Sequence, residues 1–118
     1  MTINPGNYNI IIYGGYSLNQ IFTWSDQNGN IVNLAGFTAT LEGRYNLTDS
    51  SPFLTLSTSN GGIVLGGSAG TITLLMSTAA TAALTPGVGV YNLQITSPTG
   101  EVDPLMQGTI TVQEMPTR

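Results

Sequence analysis

Apolar residues fall on alternate positions along most of this chain, and clusters of Gly, Asn, Ser and Pro interrupt them about every ten residues. A period of two belongs to strands with one buried face, so the spacing argues for an all-β sandwich or barrel of short strands. The segment 37–45 shows the rule most clearly. Phe37, Ala39, Leu41 and Gly43 share one side, while Thr38, Thr40, Glu42 and Arg44 share the other. Residues 71–77 repeat it with Ile72, Leu74 and Met76, and residues 88–96 with Tyr91, Leu93 and Ile95.

The remaining strands follow by the same reading. Residues 8–13 form a first strand ended by Gly14-Gly15, and residues 17–24 a second, with Leu18, Gln20, Phe22 and Trp24 turned inward. An amide carried inward needs hydrogen-bond partners. Gln20 is therefore expected to be satisfied by backbone, or else to lie near the rim of its sheet. Residues 53–57 direct Leu54 and Leu56 inward, and residues 63–65 form a short strand. Residues 101–113 make a last strand or pair of strands carrying Ile110 and Val112, with Pro104 marking an edge position or a bulge. Residues 78–84 alone have helix propensity; Ser77 or Thr78 supplies the N-cap and Pro86-Gly87 the stop. Asn28-Gly29 reads as a hairpin turn. Asp26, Asn28 and Asn30 imitate the opening of a calcium loop, but Ile31 and Phe37 stand where that loop needs glycine and an acidic residue.

Charge is what the chain lacks. It has six acidic residues, two arginines and no lysine, histidine or cysteine in 118 residues, so charged residues make up 7% against roughly a quarter in ordinary soluble domains. Disulfides and thiolate or imidazole metal sites are excluded, and Ser and Thr hydroxyls have no His or Lys base to activate them. Glu101 and Asp103 stand two apart like a glycosidase pair, but beside Gly100 they read as a solvated hairpin end. The Gly66–Gly70 run has no lysine and precedes a strand, so it is a turn and not a phosphate cradle. A net charge of −4 gives no footprint for nucleic acid. No apolar run reaches the roughly 20 residues of a membrane span, and the first residues lack the pattern of a secretory signal. The expectation is a non-enzymatic protein without cofactor, made in a cytoplasm and not secreted.

Two resemblances refine this reading. The helical turn followed by Gly89-Val-Tyr91-Asn-Leu93-Gln-Ile95 resembles the tyrosine corner of immunoglobulin domains, with Leu93 at the position of their cysteine. The implied fold is an all-β, immunoglobulin-like antiparallel β-sandwich of about seven to nine strands, with one short helical turn near residues 78–84. Across nearly the whole chain, the order Tyr8-Asn-Ile, Phe22-Thr-Trp24-Ser-Asp-Gln-Asn-Gly-Asn30, Val32-Asn-Leu-Ala-Gly36, Asn60-Gly-Gly-Ile63, Gly70-Thr-Ile-Thr, 79–84, Gly89-Val-Tyr91 and Gln107-Gly-Thr-Ile-Thr-Val112 is similar to small tailed-phage virion proteins. It is similar in particular to the N-terminal immunoglobulin-like domain of phage baseplate upper proteins.

That resemblance implies a virion structural protein, a tail, baseplate or fibre-attachment adaptor present in many copies. Its partners would be other virion proteins, with no nucleic acid and no membrane. The family's domain joins fibre or receptor-binding modules to the tail, and no such module follows here. A capsid-surface decoration protein is therefore the alternative. A carbohydrate-binding module is the second alternative, with Tyr13, Tyr16 and Tyr45 as its aromatic platform and a host-surface glycan as its ligand. The expected division is an arm at 1–7, the sandwich at 8–113 and a tail at 114–118. Partner contacts are assigned to Ile3, Tyr13, Tyr16, Arg44, Tyr45 and Met115. The core is assigned to Leu18, Phe22, Trp24, Phe37, Leu41, Leu54, Leu56, Ile72, Leu74, Tyr91, Leu93, Ile95, Ile110 and Val112. A free sheet edge is a further place where another chain's strand could be accepted.

Overall fold

The fold is organised around two strands whose inward residues meet rung for rung. In the computed structural model, which describes residues 6–25 and 29–114, β4 (Thr38–Arg44) runs antiparallel to β8 (Gly87–Thr96). Ala39 faces Ile95, Leu41 faces Leu93 and Gly43 faces Tyr91. Each buried Leu, Ile or Tyr side chain contributes about 1.5–3 kcal/mol by leaving water, which pins the register, because a slip of one residue would turn this set to solvent. β9 (Val102–Gln113) adds to β8, and β5 (Leu54–Ser57) adds to the other side of β4. The second sheet holds β7 (Thr71–Met76) between β3 (Leu18–Thr23) and β6 (Ile63–Leu65). Ile72, Leu74 and Met76 of β7 close the core from that side.

The two strands that begin the described chain, β1 (Gly6–Asn7) and β2 (Ile10–Tyr13), both join β9. They run parallel to it, so the sandwich is not wholly antiparallel. Gly6 and Asn7, expected to lie in an arm, are paired with Met106 and Gln107. The sheet order is therefore β1-β9-β8-β4-β5, with β2 also on β9, packed over β3-β7-β6. A six-stranded sheet packed over a three-stranded one, with a helical turn before β8, is an all-β sandwich of the immunoglobulin-like kind.

Pro104 lies at a register break. Leu93 pairs with Met106 while Gln94 pairs with Pro104, so Leu105 is the extra residue of a bulge and drops into the core. The helix α1 (Thr78–Ala82) is capped by Ser77, whose Oγ accepts the Ala80 N–H at 3.2 Å. Asn60-Gly61-Gly62 turns as expected, with Gly61 at φ +81°. The hairpin residues Asp26 and Asn28 lie outside the described residues; Ser25 and Ile31 form the antiparallel bridge on either side of them.

The core contains Leu41, Leu54, Leu56, Ile72, Leu74, Tyr91, Leu93, Ile95, Ile110 and Val112. It also contains Ile10, Ile12, Leu34, Ile63, Met76 and Leu105, which the core assignment omits. Leu18, Phe22, Trp24 and Phe37, expected in the core, are only half-buried against its margin. For the first three the reason is topological: among the described residues, β3 has a neighbour on one side only. Gln20 follows the same logic. It is half-buried at this rim, and its amide donates to the Tyr8 hydroxyl at 3.3 Å rather than to backbone.

Thr81 is the polar residue that the interior absorbs. It is fully buried, at 0% exposure. Its Oγ1 accepts the Gly15 N–H at 3.0 Å and shares its proton between the carbonyls of Tyr16, at 2.8 Å, and Thr78, at 3.0 Å. The hydroxyl thus fastens α1 to the β2–β3 turn. Thr81→Val preserves shape but strands a buried donor and acceptor. It should lower the unfolding free energy by about 1–3 kcal/mol, measured by urea denaturation, whereas Thr78→Val on the exposed side of α1 should have little effect.

Candidate interaction surface

The outward positions of the six-stranded sheet form a broad face whose chemistry follows from the register. Arg44, Val90 and Thr109 lie on one rung; Val88, Thr111 and Ile11 lie on another. A third rung brings together Glu42, Asn92, Gln107 and Asn7. The strands' outward positions carry two charged side chains, Glu42 and Arg44, and these neutralise one another at 3.3 Å. The two residues that alternation places on one side of the strand are thus paired. Arg44 also donates Nε to the Asp49 carbonyl at 3.1 Å, which ties it to the β4–β5 loop.

Beside that pair runs an apolar stripe. Ile11 is 47% exposed, Val88 64% and Val90 39%, and Leu47 of the β4–β5 loop stands out at 83%. Leu47, Val90 and Arg44 line an open depression of about 520 Å³ floored by Asn92, Gln107 and Thr109. The face thus combines exposed β-branched side chains, carboxamides and hydroxyls with almost no charge. Depletion of charge is the compositional mark of the centre of protein interfaces.

The residues assigned to partner contacts divide. Ile3 and Met115 lie outside the described residues. Tyr13 ends β2 and Tyr16 lies in the turn after it, both exposed. Arg44 belongs to the face just described. Tyr45 does not form an open platform: it is half-buried, stacked on Phe53 at 4.1 Å between ring centroids, and its hydroxyl donates to the Thr85 carbonyl. Ile11, Val88 and Val90, the stripe itself, were legible as the outward partners of inward neighbours but were not singled out. Among the described residues, no group of three or more acidic side chains converges as a metal site. Glu101 lies in the turn closed by Ser97, and Asp103 sits in β9 opposite Ile95.

The face depends on how the first strands are held. Tyr91 points inward, and its hydroxyl donates to the Tyr8 carbonyl at 2.6 Å. An immunoglobulin tyrosine corner bonds to backbone a few residues upstream; here the bond reaches across the sheet to the break between β1 and β2. Gly108, the cross-strand partner of Tyr91, permits the approach, since a Cβ there would stand 2.3 Å from the Tyr8 carbonyl oxygen. Burial, with a smaller contribution from the Tyr8 phenol, pushes the Tyr91 hydroxyl up to about 12.

No family model matches the chain, and no curated protein sequence matches it. Solved structures do. The extracellular domain of the voltage-gated sodium channel beta4 subunit, described as a parallel homodimer in cell–cell adhesion, is similar at TM-score 0.45 and 17% identity, with 98% of each chain covered. Extracellular domains 3–5 of Drosophila OTK are similar at TM-score 0.38 and 18% identity. That match covers 96% of this chain and 35% of the other.

The raised Tyr91 hydroxyl has a signed consequence. The unfolded chain loses this proton near pH 10 and the folded chain near 12, so the stability it confers is complete below pH 10 and is lost as pH rises from 10 towards 12. Tyr91→Phe should cost about 1 kcal/mol at neutral pH and flatten the fall in melting temperature between pH 10 and 12. An unchanged alkaline profile in this variant would remove Tyr91 as its source.

Proposed function

We propose that this protein is a non-enzymatic structural subunit of a tailed-phage particle, a tail, baseplate or fibre-attachment adaptor that joins its neighbours through the outer face of the six-stranded sheet. The observation that carries the contact surface is the apolar stripe of Ile11, Val88 and Val90 beside the internally neutralised Glu42–Arg44 pair. The phage assignment rests on the sequence similarity to virion proteins set out above, which also gives the virion as location and the host cytoplasm as the site of synthesis. A particle protein needs a rigid scaffold and contact area rather than a reaction. A sandwich with sparse surface charge suits both needs, because burying its faces requires little desolvation of ions.

The test has two parts. Antibody against the protein should label tails or baseplates of intact particles; label on the heads at threefold or sixfold positions would transfer the assignment to a decoration protein. A protein found free of particles would overturn the proposal. Val90→Glu should change stability by no more than about 0.5 kcal/mol, as expected of an exposed site. It should weaken attachment to particles lacking the protein by roughly 100-fold, because the new charge is buried without a partner.

A further inference from the structure

The sandwich has four strand edges, and they differ in how they are finished. At β5 the edge is already occupied. The Asn60 side chain accepts the Ser57 N–H at 2.9 Å and donates to the Thr55 carbonyl at 3.1 Å, which imitates a neighbouring strand. β6 has three residues and ends at a glycine-rich 3₁₀ turn, Gly67–Ala69. The β1–β2 edge is interrupted at Tyr8–Asn9, where the Asn9 side chain takes the Thr109 N–H at 3.3 Å. Among the described residues, β3 has none of these devices. It offers six residues, Leu-Asn-Gln-Ile-Phe-Thr, without charge, proline, glycine or bulge, and an edge of that kind is what natural sheets avoid leaving open.

The direction of its backbone groups follows from one bond. Trp24 donates its N–H to the Gly70 carbonyl at 2.8 Å, towards the β7 side. Because successive residues of a strand alternate in direction, Phe22, Gln20 and Leu18 also address β7. Asn19, Ile21 and Thr23 therefore turn their N–H and C=O groups to the unpaired side. On the inner face of the same strand, Leu18, Phe22 and Trp24 are left half-buried. Phe22 and Trp24 line an opening of about 280 Å³ towards Leu105 and Met106.

We infer that β3 is a homodimerisation edge, at which a second copy of this chain adds its own β3 antiparallel about a two-fold axis at Ile21. Two constraints fix this register. Directly opposed residues must share a face, and the free groups of Asn19, Ile21 and Thr23 must meet their equivalents. An axis through Ile21 satisfies both and, unlike one through Asn19 or Thr23, pairs all three free residues among themselves. Ile21 bonds reciprocally to the second copy's Ile21, and Asn19 to Thr23, giving six backbone hydrogen bonds. On the inner face Leu18 meets Trp24, and Gln20 meets Phe22 beside Tyr8, whose ring packs edge-on against Phe22 and whose hydroxyl accepts the Gln20 amide, so what remains exposed of each margin is covered by the other. On the outer face the two Ile21 side chains, each 59% exposed in the monomer, cover one another. A two-fold axis sets every central charge against its own copy, and a neutral strand is the case in which self-pairing meets no repulsion. A contact made by one six-residue strand from each copy suits a dimer formed at the high local concentration of an assembly. It does not depend on which face binds the neighbours proposed above.

Sedimentation velocity of the full chain should show a reversible monomer–dimer equilibrium. Ile21→Lys should raise the dimer dissociation constant roughly 100-fold, through two lost isoleucine contacts and two like charges in their place, with the circular dichroism spectrum of the monomer unchanged. The chain has no cysteine, so Ile21→Cys introduces a single thiol. Opposed α-carbons of a hydrogen-bonded pair lie about 5.5 Å apart, within disulfide or short bismaleimide reach. Ile21→Cys should therefore give a covalent dimer faster than Val102→Cys, an exposed control on the other sheet. A protein that stays monomeric up to about 1 mM, a dimer indifferent to Ile21→Lys, or equal cross-linking of the two cysteine variants would each overturn the inference. Failure of the Val90→Glu test with success here would leave the dimer standing and remove only the outer-face contact.

Discussion

The hydrogen bond from Tyr91 to the Tyr8 carbonyl decides where the first strands go. It originates deep in β8 and fixes the kink between β1 and β2, with Gly108 clearing the space beneath. Both short strands pair with β9, and burial of Ile10 and Ile12 holds β2 there. All the described pairing of this segment goes to the larger sheet. The broad outer face and the unpaired side of β3 are two results of the same choice. The face gains Ile11 and Asn7 as its margin, and the smaller sheet is left at three strands.

Much of the architecture was legible because single strands declare their faces. Leu41, Leu93, Ile72 and Leu74 alternate with Thr and Gln, so burial could be read without knowing their neighbours. The helical turn and its Ser77 cap were legible for the same reason, being local chemistry. Pro104 announced an irregularity, and the register break at Leu105 gives it its form.

What the sequence hid is the part that only pairing determines. Nothing in Ile10-Ile-Ile-Tyr13 says whether the strand runs parallel or antiparallel, or to which sheet it belongs. Phe22 and Trp24 were assigned to the core on their size, but an edge strand lacks the neighbour that would bury them. Thr81 gives no local signal, since its burial is created by the β2–β3 turn folding over α1. Val88 and Val90, central to the candidate surface, could have been found by asking which apolar residues face outward rather than inward. Tyr45, an aromatic residue whose sequence neighbours do not reveal its packing, stacks on Phe53.

Asn60 has an effect on what kinds of aggregate are open to this molecule. By taking the Thr55 carbonyl and the Ser57 N–H, it blunts the end of the larger sheet at β5 in every copy. Growth of a continuous sheet from molecule to molecule needs two adhesive sides per unit, one to join and one to be joined. With one side terminated by its own side chain, the larger sheet is at most monovalent. Addition along that sheet stops at a closed pair, so the larger sheet does not itself seed a fibre, however densely the copies are packed.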